Sequence, residues 1–502
     1  MEIRDVAVVG LGTMGAGIAE VFARAGIGVV AIEADPQAMT QGLGLLDASL
    51  SRAVSRGKLT AAEQAEIRSR VRPAAGFSDA ASVDLAVEVV PERLEIKRQI
   101  FAELDRVCSP DAILATNTSS LSVTAIAAAT RHPDRVVGMH FFNPAPVMRL
   151  VEVVTTVLTA SHVPITVAGL ARLLGKEPVQ VGDRAGFVAN ALLLPYLNHA
   201  IRLLETGYAS RADIDLAATA GIGLPMGPLA LADLIGLDTV LAILEVLREE
   251  SGGSRYTPAP LLRRLTAAGW TGRKAGRGIY EYPDASGDQE DQNGTATDFP
   301  PPDTVTLIGS GDDVEASLAT ALATAGVNVT RNPAHPSDLV LIAASGVQRV
   351  LPAALATGRP HNAVGLHLQG GLSDGSIAEV VATTCSSAQA VGTAAALAHR
   401  IGLRVVHSPD RPGYLVGALL YPHLADAVRM VQDRYASPAD VDTAMKLGCG
   451  YPRGPFELLE DLHPGTVLAG LQYMEQNYGD PSFAPPPGLT ERATVGIVGS
   501  PG

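Results

Sequence analysis

The chain is poor in the residues that would mark it as secreted, metal-bound or attached to nucleic acid. Its three cysteines, Cys108, Cys385 and Cys449, are too widely spaced to ligate a metal or staple a small fold. They read as buried thiols in a reducing compartment, and no metal is expected. Basic residues are outnumbered, 38 Lys and Arg against 52 Asp and Glu, so nucleic acid and acidic membranes are not expected partners. An anionic ligand would then need a local basic patch. Long apolar runs are lacking too. The most apolar stretch, "LALADLIGLDTVLAILEVL" from Leu229, carries Asp233, Asp238 and Glu245, which suits a buried or amphipathic helix and not a membrane span. The opening "MEIRDVAVVG" has acids where a signal peptide has its basic region. A cytoplasmic location is the expectation.

What the chain does have is length and order. At 502 residues it exceeds one core, and about three domains are expected. Val6 to Gly10 ("VAVVG") reads as a strand, Met14 to Gly26 as a helix and Gly28 to Asp35 as a second strand. Further strands are expected at Leu85 to Val90, Ala112 to Thr118 and Val136 to Phe141, as in a doubly wound parallel sheet. From about Asp183 the pattern turns helical, with one long helix from Phe187 to Gly207. Pro283 to Asp303 is polar and acidic and reads as a linker.

Beyond that linker the chain repeats itself. "AGFVANALLLPYLNHAIRLLETGYASRADID" from Ala185 aligns with "PGYLVGALLYPHLADAVRMVQDRYASPADVD" from Pro412. His140 to His367, Glu152 to Glu379 and Gly227 to Gly454 are all steps of 227, so the end of the sheet domain and the whole helical domain are duplicated. The fold expected is an α/β Rossmann-type domain plus an all-α domain, followed by a truncated, degenerate repeat of both. The boundaries are 1–184, 185–283, a linker 284–302, 303–408, 409–483 and a tail 484–502.

Gly10, Gly12 and Gly15 in "GLGTMG" have the G-x-G-x-x-G spacing between strand and helix, and Glu33 follows 23 residues after Gly10. Gly10 permits the tight turn, Gly12 lets backbone approach a pyrophosphate, and Gly15 allows close helix packing. Glu33 would bond a ribose diol and repel a 2′-phosphate, so NAD is expected over NADP. Thr13 and Met14 open the helix beside it. His140 and Glu152 form a candidate acid–base pair, since a carboxylate on one ring nitrogen fixes the tautomer that a general base needs. The bland alternative is a structural histidine. "TNTSS" (Thr116 to Ser120) follows a strand and either orients a ligand or caps the next helix through Ser119 or Ser120. Asn190 is an unusual polar residue in an apolar helix, paired with backbone or facing a cleft. "SRAVSRGK" (Ser51 to Lys58) with Arg68, Arg70 and Arg72 is a basic island, either a solvated face or a site for a polyanion.

Together these residues resemble the bacterial NAD-dependent 3-hydroxyacyl-CoA dehydrogenases. "VAVVGLGTMGAGIAEVFARAG", "PERLEIKRQIFAELD", "NTSSLSVTAIAA", "GMHFFNPAPVMRLVEVV", "GFVANALLLPYLNHAIRLLE" and "TGRKAGRGIYEY" match in order and spacing from Ile3 to about Tyr282. The wording around "SRGKLTA" and "PERLEIKRQ" is most similar to the proteins of phenylacetate catabolism that act on 3-hydroxyadipyl-CoA or 3-hydroxybutyryl-CoA. The resemblance implies that His140 is the general base, Glu152 its partner, and Ser119 and Asn190 the groups that orient substrate oxygens. It puts Asn143 near both ligands, Glu92, Lys97 and Lys274 near the NAD, and Arg56 and Lys58 near the CoA phosphates. It also implies that the second copy, where Asn143 maps to Gly370 and Asn190 to Gly417, is not catalytic and pairs with the first as an internal pseudo-dimer, because short relatives pair through their helical domains. Whether that unit forms a further homodimer is left open. Two other readings stand beside this one: a dehydrogenase of a non-CoA hydroxy or sugar acid on the same fold, and a non-catalytic NAD-binding scaffold.

Overall fold

The structure is a computed structural model that describes residues 2–282, 299, 302–309, 313–344, 348–368, 372 and 376–498. The expected linker lies almost wholly outside the described residues. The chain divides into two compact units. The first comprises residues 1–191, 249–252 and 433–454; the second comprises 192–248, 253–432 and 455–502.

The first unit is built on eight strands: β1 (Asp5–Val9), β2 (Gly28–Ile32), β3 (Val71–Ala74), β4 (Leu85–Glu88), β5 (Ile113–Thr116), β6 (Val136–Phe141), β7 (Leu150–Thr155) and β8 (Glu177–Gly182). They lie in the order β3-β2-β1-β4-β5-β6-β7-β8. The short runs of Val, Ile, Leu and Ala in β1, β4, β5 and β6 are buried along nearly their whole length. That is what a sheet covered on both faces requires. Helices such as Thr13–Arg24 supply Ile18, Phe22 and Ala23 to one core with Val8, Val87 and Met139. The chain winds outward one way from β1 to β3 and the other way from β4 onward, so the switch point falls between β1 and β4.

Two expectations change here. The sheet is not wholly parallel: β6 and β7 are antiparallel, with His140 directly opposite Glu152. A short connection between the two strands permits this, where a parallel pair would need a long crossover. The first unit also includes part of the repeat, the helix Pro438–Cys449, which packs on β7 and β8.

The second unit carries a six-stranded sheet: β9 (Thr304–Ile308), β10 (Asn328–Thr330), β11 (Leu339–Ala343), β12 (Ala363–Leu368), β13 (Ile377–Ala382) and β14 (Arg404–Pro409). Their order is β10-β9-β11-β12-β13-β14, the layout of the first sheet with its β3 edge and one inner strand missing. Again β12 and β13 are antiparallel, with His367 opposite Glu379. Residues 217–222, from the first helical segment, pack on β13. Residues expected as a tail instead form the helix Pro487–Val498, whose Leu489 is fully buried. Of the cysteines expected to be buried, only Cys108 is; Cys385 is exposed and Cys449 half-buried. Apolar spacing around Cys385 is too short to reveal which side of the turn it takes. No helix of the described residues is long and apolar enough to cross a membrane.

Candidate active site

The glycine loop after β1 turns through Gly10, which sits at φ +93 with room for no side chain: a Cβ there would stand 2.9 Å from the Val89 carbonyl oxygen. A Cβ on Gly15 would collide with the Gly10 oxygen at 1.9 Å, whereas one on Gly12 would meet nothing within 4 Å. Gly15 therefore packs the helix onto the strand, and Gly12 leaves open space above the loop. The helix Thr13–Arg24 starts without a side-chain cap, so its first amides are left for an anion. Thr13 is exposed, Met14 half-buried. Glu33, at the end of β2, accepts a hydrogen bond from the Leu11 amide at 3.1 Å, placing its carboxylate beside the loop. These residues fit a dinucleotide.

Glu92 organises the loop that follows β5. It accepts hydrogen bonds from the Thr118 hydroxyl at 2.6 Å and from the Ser119 and Ser120 amides at 3.0 and 3.1 Å. Burial works to raise its pKa, but Lys97 and these donors hold it below the ordinary value. Ser119 is half-buried, with its hydroxyl 3.4 Å from Glu92. Lys97 stands beside Glu92. It is fully buried, 2.8 Å from Glu88 and 3.4 Å from Glu92, so its ammonium braces Glu92 from behind and does not face solvent. The next helix, Val123–Ala127, is capped by Ser122 and not by Ser119 or Ser120. Asp183 supports that cap by accepting from the Val123 and Thr124 amides. Asn117, which the sequence reading passed over, accepts from the Phe141 amide at 2.7 Å and ties this loop to β6.

His140 and Glu152 meet because the antiparallel register sets them opposite each other. His140 Nδ1 lies 2.7 Å from Glu152 Oε2. Glu152 is fully buried, and its other oxygen accepts from the amides of Val188 at 3.0 Å and Ala189 at 3.1 Å. Three donors thus engage the carboxylate, and the ring is held with Nε2 left for chemistry. Phe142 and Phe187 flank the imidazole, their ring centres 4.6 and 5.7 Å away. Phe187 adopts φ 46, a strained backbone for a bulky residue. Asn143 is exposed two residues beyond Phe141, and Asn190 is half-buried in the first turn of the helix Ala189–Glu205.

The remaining expected residues are placed as follows. Arg56 and Lys58 are exposed just after the helix Pro36–Ser55 and make no ion pair among the described residues. The basic island does not act as a whole, since Arg68, Arg70 and Arg72 pair with Asp47, Glu66 and Asp79. Lys274 belongs to the second unit, where it pairs with Asp238 at 2.7 Å.

The repeat contributes to the back of this site. Gly448, on the helix Pro438–Cys449, faces Leu150 and Phe142: a Cβ built on it would lie 2.7 Å from Leu150 Cδ2 and 3.1 Å from Phe142 Cε1. Nearby, the Tyr435 hydroxyl donates to the Gly182 carbonyl at 2.9 Å, and Arg184 pairs with Asp433 at 3.1 Å. Gly182, Arg184, Asp433 and Tyr435 line a cavity of about 290 Å³.

The second unit repeats the His–Glu geometry. His367 Nδ1 is 2.8 Å from Glu379 Oε1, and Glu379 Oε2 accepts from the Leu415 and Val416 amides at 2.6 and 3.0 Å. Tyr414 stands in the place of Phe187, with φ 47. Gly417 stands in the place of Asn190, and the Tyr421 ring fills its side, 2.7 Å from a Cβ built there. Gly370 lies outside the described residues, as do residues 310–312 of the loop after β9.

Residues 5–184 match the model of the 3-hydroxyacyl-CoA dehydrogenase NAD-binding domain, and residues 186–282 and 413–500 match that of the same family's C-terminal domain. The chain belongs to the 3-hydroxyacyl-CoA dehydrogenase family and is an NAD-dependent oxidoreductase. Among individual relatives, 3-hydroxyadipyl-CoA dehydrogenase of Escherichia coli (strain K12) is 34% identical over 99% of this chain and 98% of its own. 3-Hydroxybutyryl-CoA dehydrogenase of Mycobacterium tuberculosis (strain CDC 1551 / Oshkosh) is 47% identical, over 56% of this chain and 99% of its own. A crystal structure of 3-hydroxybutyryl-CoA dehydrogenase from Escherichia coli K12 superposes with a TM-score of 0.84 at 32% identity, covering 99% of both chains.

Proposed function

We propose that the chain interconverts a (3S)-3-hydroxyacyl-CoA and the 3-oxoacyl-CoA, with His140 as general base. The His140–Glu152 contact of 2.7 Å carries this reading. Glu152 holds the proton on Nδ1, so Nε2 takes the 3-hydroxyl proton of the substrate and Glu152 stabilises the resulting imidazolium. Such base catalysis contributes roughly 100- to 10,000-fold. The chemistry that bound NAD would supply is an acceptor for the hydride leaving C3. Glu33 and the Gly12 opening hold its ribose and pyrophosphate, while Ser119, Asn143 and Asn190 orient substrate oxygens. Glu92 shapes the loop around them. Arg56 and Lys58, exposed and free of ion pairs among the described residues, meet the CoA phosphates. The relatives named for 3-hydroxybutyryl-CoA and 3-hydroxyadipyl-CoA support a short or dicarboxylic acyl chain, as used in fatty acid β-oxidation or phenylacetate catabolism in the cytoplasm.

The test is NADH oxidation with acetoacetyl-CoA against free acetoacetate, with NADPH as control. Turnover of the thioester with NADH alone is expected. Equal turnover of the free acid would replace this reading with a dehydrogenase of non-CoA hydroxy acids. Silence with both acetoacetyl-CoA and 3-oxoadipyl-CoA, despite NADH binding, would leave a scaffold.

The second copy, in this reading, is a degenerate half that builds an internal pseudo-dimer. Reciprocal contacts support it: Gly448 meets Leu150 in the first unit, and Gly221 meets Ile377 in the second, each pair the repeat image of the other. Tyr196 meets His423, its own repeat counterpart, with ring centres 5.1 Å apart. Exchanged pairs, and a residue facing its own image, are what a two-fold interface produces. Loss of catalysis there is supported by Glu315, which pairs with Arg331 and lies 2.6 Å from a Cβ built on Gly309. Its carboxylate stands at the strand end where a pyrophosphate would have to approach. Residues 1–283 alone should aggregate or pair and lose activity; a stable, monomeric, fully active fragment would overturn the pseudo-dimer.

A further inference from the structure

The helix Pro438–Cys449 raises the question of what the second copy does for the first copy's chemistry. Its residue Gly448 lies against Phe142, and the Phe142 ring lies against the His140 imidazole with centres 4.6 Å apart. The three form a stack running from the repeat into the candidate base. The next residue, Cys449, is half-buried, and burial, aided by the negative Glu152, pushes its thiol up to about 12. The helix end thus offers the buried carboxylate a neutral neighbour.

The mirror contact is built differently. Gly221 in the second unit faces Val416 Cγ2 at 2.8 Å and Ile377 Cγ2 at 3.4 Å, measured from a Cβ built on it. Both glycines are crowded, but of the two Gly448 bears on an aromatic ring that touches a histidine.

We infer that Gly448 is a positioning residue for the dehydrogenase reaction: by having no side chain, it lets Phe142 seat behind His140 and hold the imidazole at its working angle. This rests on the reading of His140 as base. Because packed interiors transmit displacement, any side chain at 448 moves Leu150 or pushes Phe142 onto the ring. Displacements of about 1 Å at a reacting group cost about 100-fold in rate.

The experiment compares Gly448→Val with Gly221→Val in the full-length protein. Both are read by kcat, KM for NADH and for acetoacetyl-CoA, the pH profile of kcat, and thermal midpoint. Gly448→Val is expected to lower kcat by about tenfold or more, with KM for NADH within about twofold, and to shift the pH profile. Gly221→Val is expected to lower the thermal midpoint comparably while keeping kcat within about twofold. Gly448→Ala is the milder variant should valine prevent folding, with a smaller loss in kcat in the same direction. Trimming the ring with Phe142→Leu in the Gly448→Ala background should recover part of that loss, because the clash is with ring atoms. Wild-type kcat and pH profile in both Gly448 variants, or equal losses in kcat from Gly221→Val, would overturn the inference. His140→Asn, run in parallel, separates the two ideas. If it abolishes turnover while Gly448→Val does not, only the positioning role fails; if it leaves turnover intact, the base assignment fails.

Discussion

The chain holds two histidine–glutamate pairs on two sheets, and their geometry is nearly the same. In each, an antiparallel register places the residues opposite each other. In each, the buried carboxylate also accepts two amides from the start of a long helix. What differs is the surroundings. The first pair has a glycine loop with open space above Gly12, and half-buried Ser119 and Asn190 nearby in the chain. The second has Tyr421 packed into the side of Gly417 and Glu315 at the end of β9. The difference teaches that the pair is in part a fold element. Glu379 fastens a strand to a helix start, and removing it would strand two buried amides whatever the histidine does. Such a pair can outlast its chemistry, so its presence alone is weak evidence of catalysis, and the groups around it decide.

The comparison can be broken most directly at the histidines. His140→Asn should lower kcat by about 100- to 10,000-fold, while His367→Asn should leave it within about twofold; steady-state NADH oxidation reads both. An active-site loss from the second substitution would mean that the second pair takes part in turnover. At the carboxylates the contrast turns to stability. Glu379→Ala should cost about 2–4 kcal/mol in urea unfolding, since buried donors lose their acceptor, and an unchanged midpoint would show that the pair holds nothing together. A smaller effect is expected at Glu33. Glu33→Ser should narrow the preference for NADH over NADPH by about tenfold, read as the ratio of kcat/KM values.

A contrast in pH dependence concerns the contact between Tyr196 and His423. Burial lowers the pKa of His423 from 6.5 to about 4, so the folded protein keeps the ring neutral while the unfolded chain takes up a proton between those values. The stability this contributes is present above pH 6.5 and is lost as the pH falls toward 4. The thermal midpoint should therefore drop over that range more steeply in the wild type than in His423→Phe. Parallel curves would place the acid sensitivity elsewhere.

Much of the first unit was legible in its residues. Glycine spacing, the acid at the end of the second strand and the run of short apolar strands are local patterns, and local patterns survive reading along one dimension. The constant step between copies was equally plain. The antiparallel turn between β6 and β7 was not, because both strands are buried on both faces and their apolar runs carry no sign of direction. The burial of Lys97 was hidden for a similar reason: a lysine in the first turn of a helix gives no hint that two carboxylates, Glu88 and Glu92, enclose it. Ser122 lost its capping role to its neighbours in the reading because four of the five residues from Thr118 are capping types. The placing of Pro438–Cys449 on the first sheet depends on a contact spanning almost 300 residues, and no periodicity encodes that.

Carrying that helix on the same polypeptide as the sheet it covers has a consequence for how the protein behaves when scarce. Two separate chains that complete each other come apart on dilution, and their specific activity falls with concentration. Here the two surfaces share one molecule, and the local concentration of one about the other is set by the tether and not by how much protein is present. Inheritance changes as well. A substitution in a paired single-copy gene alters both halves of the assembly at once, whereas here a substitution in one copy leaves the other unchanged. The chain accordingly has tyrosine at 414 where it has phenylalanine at 187, and glycine at 417 where it has asparagine at 190.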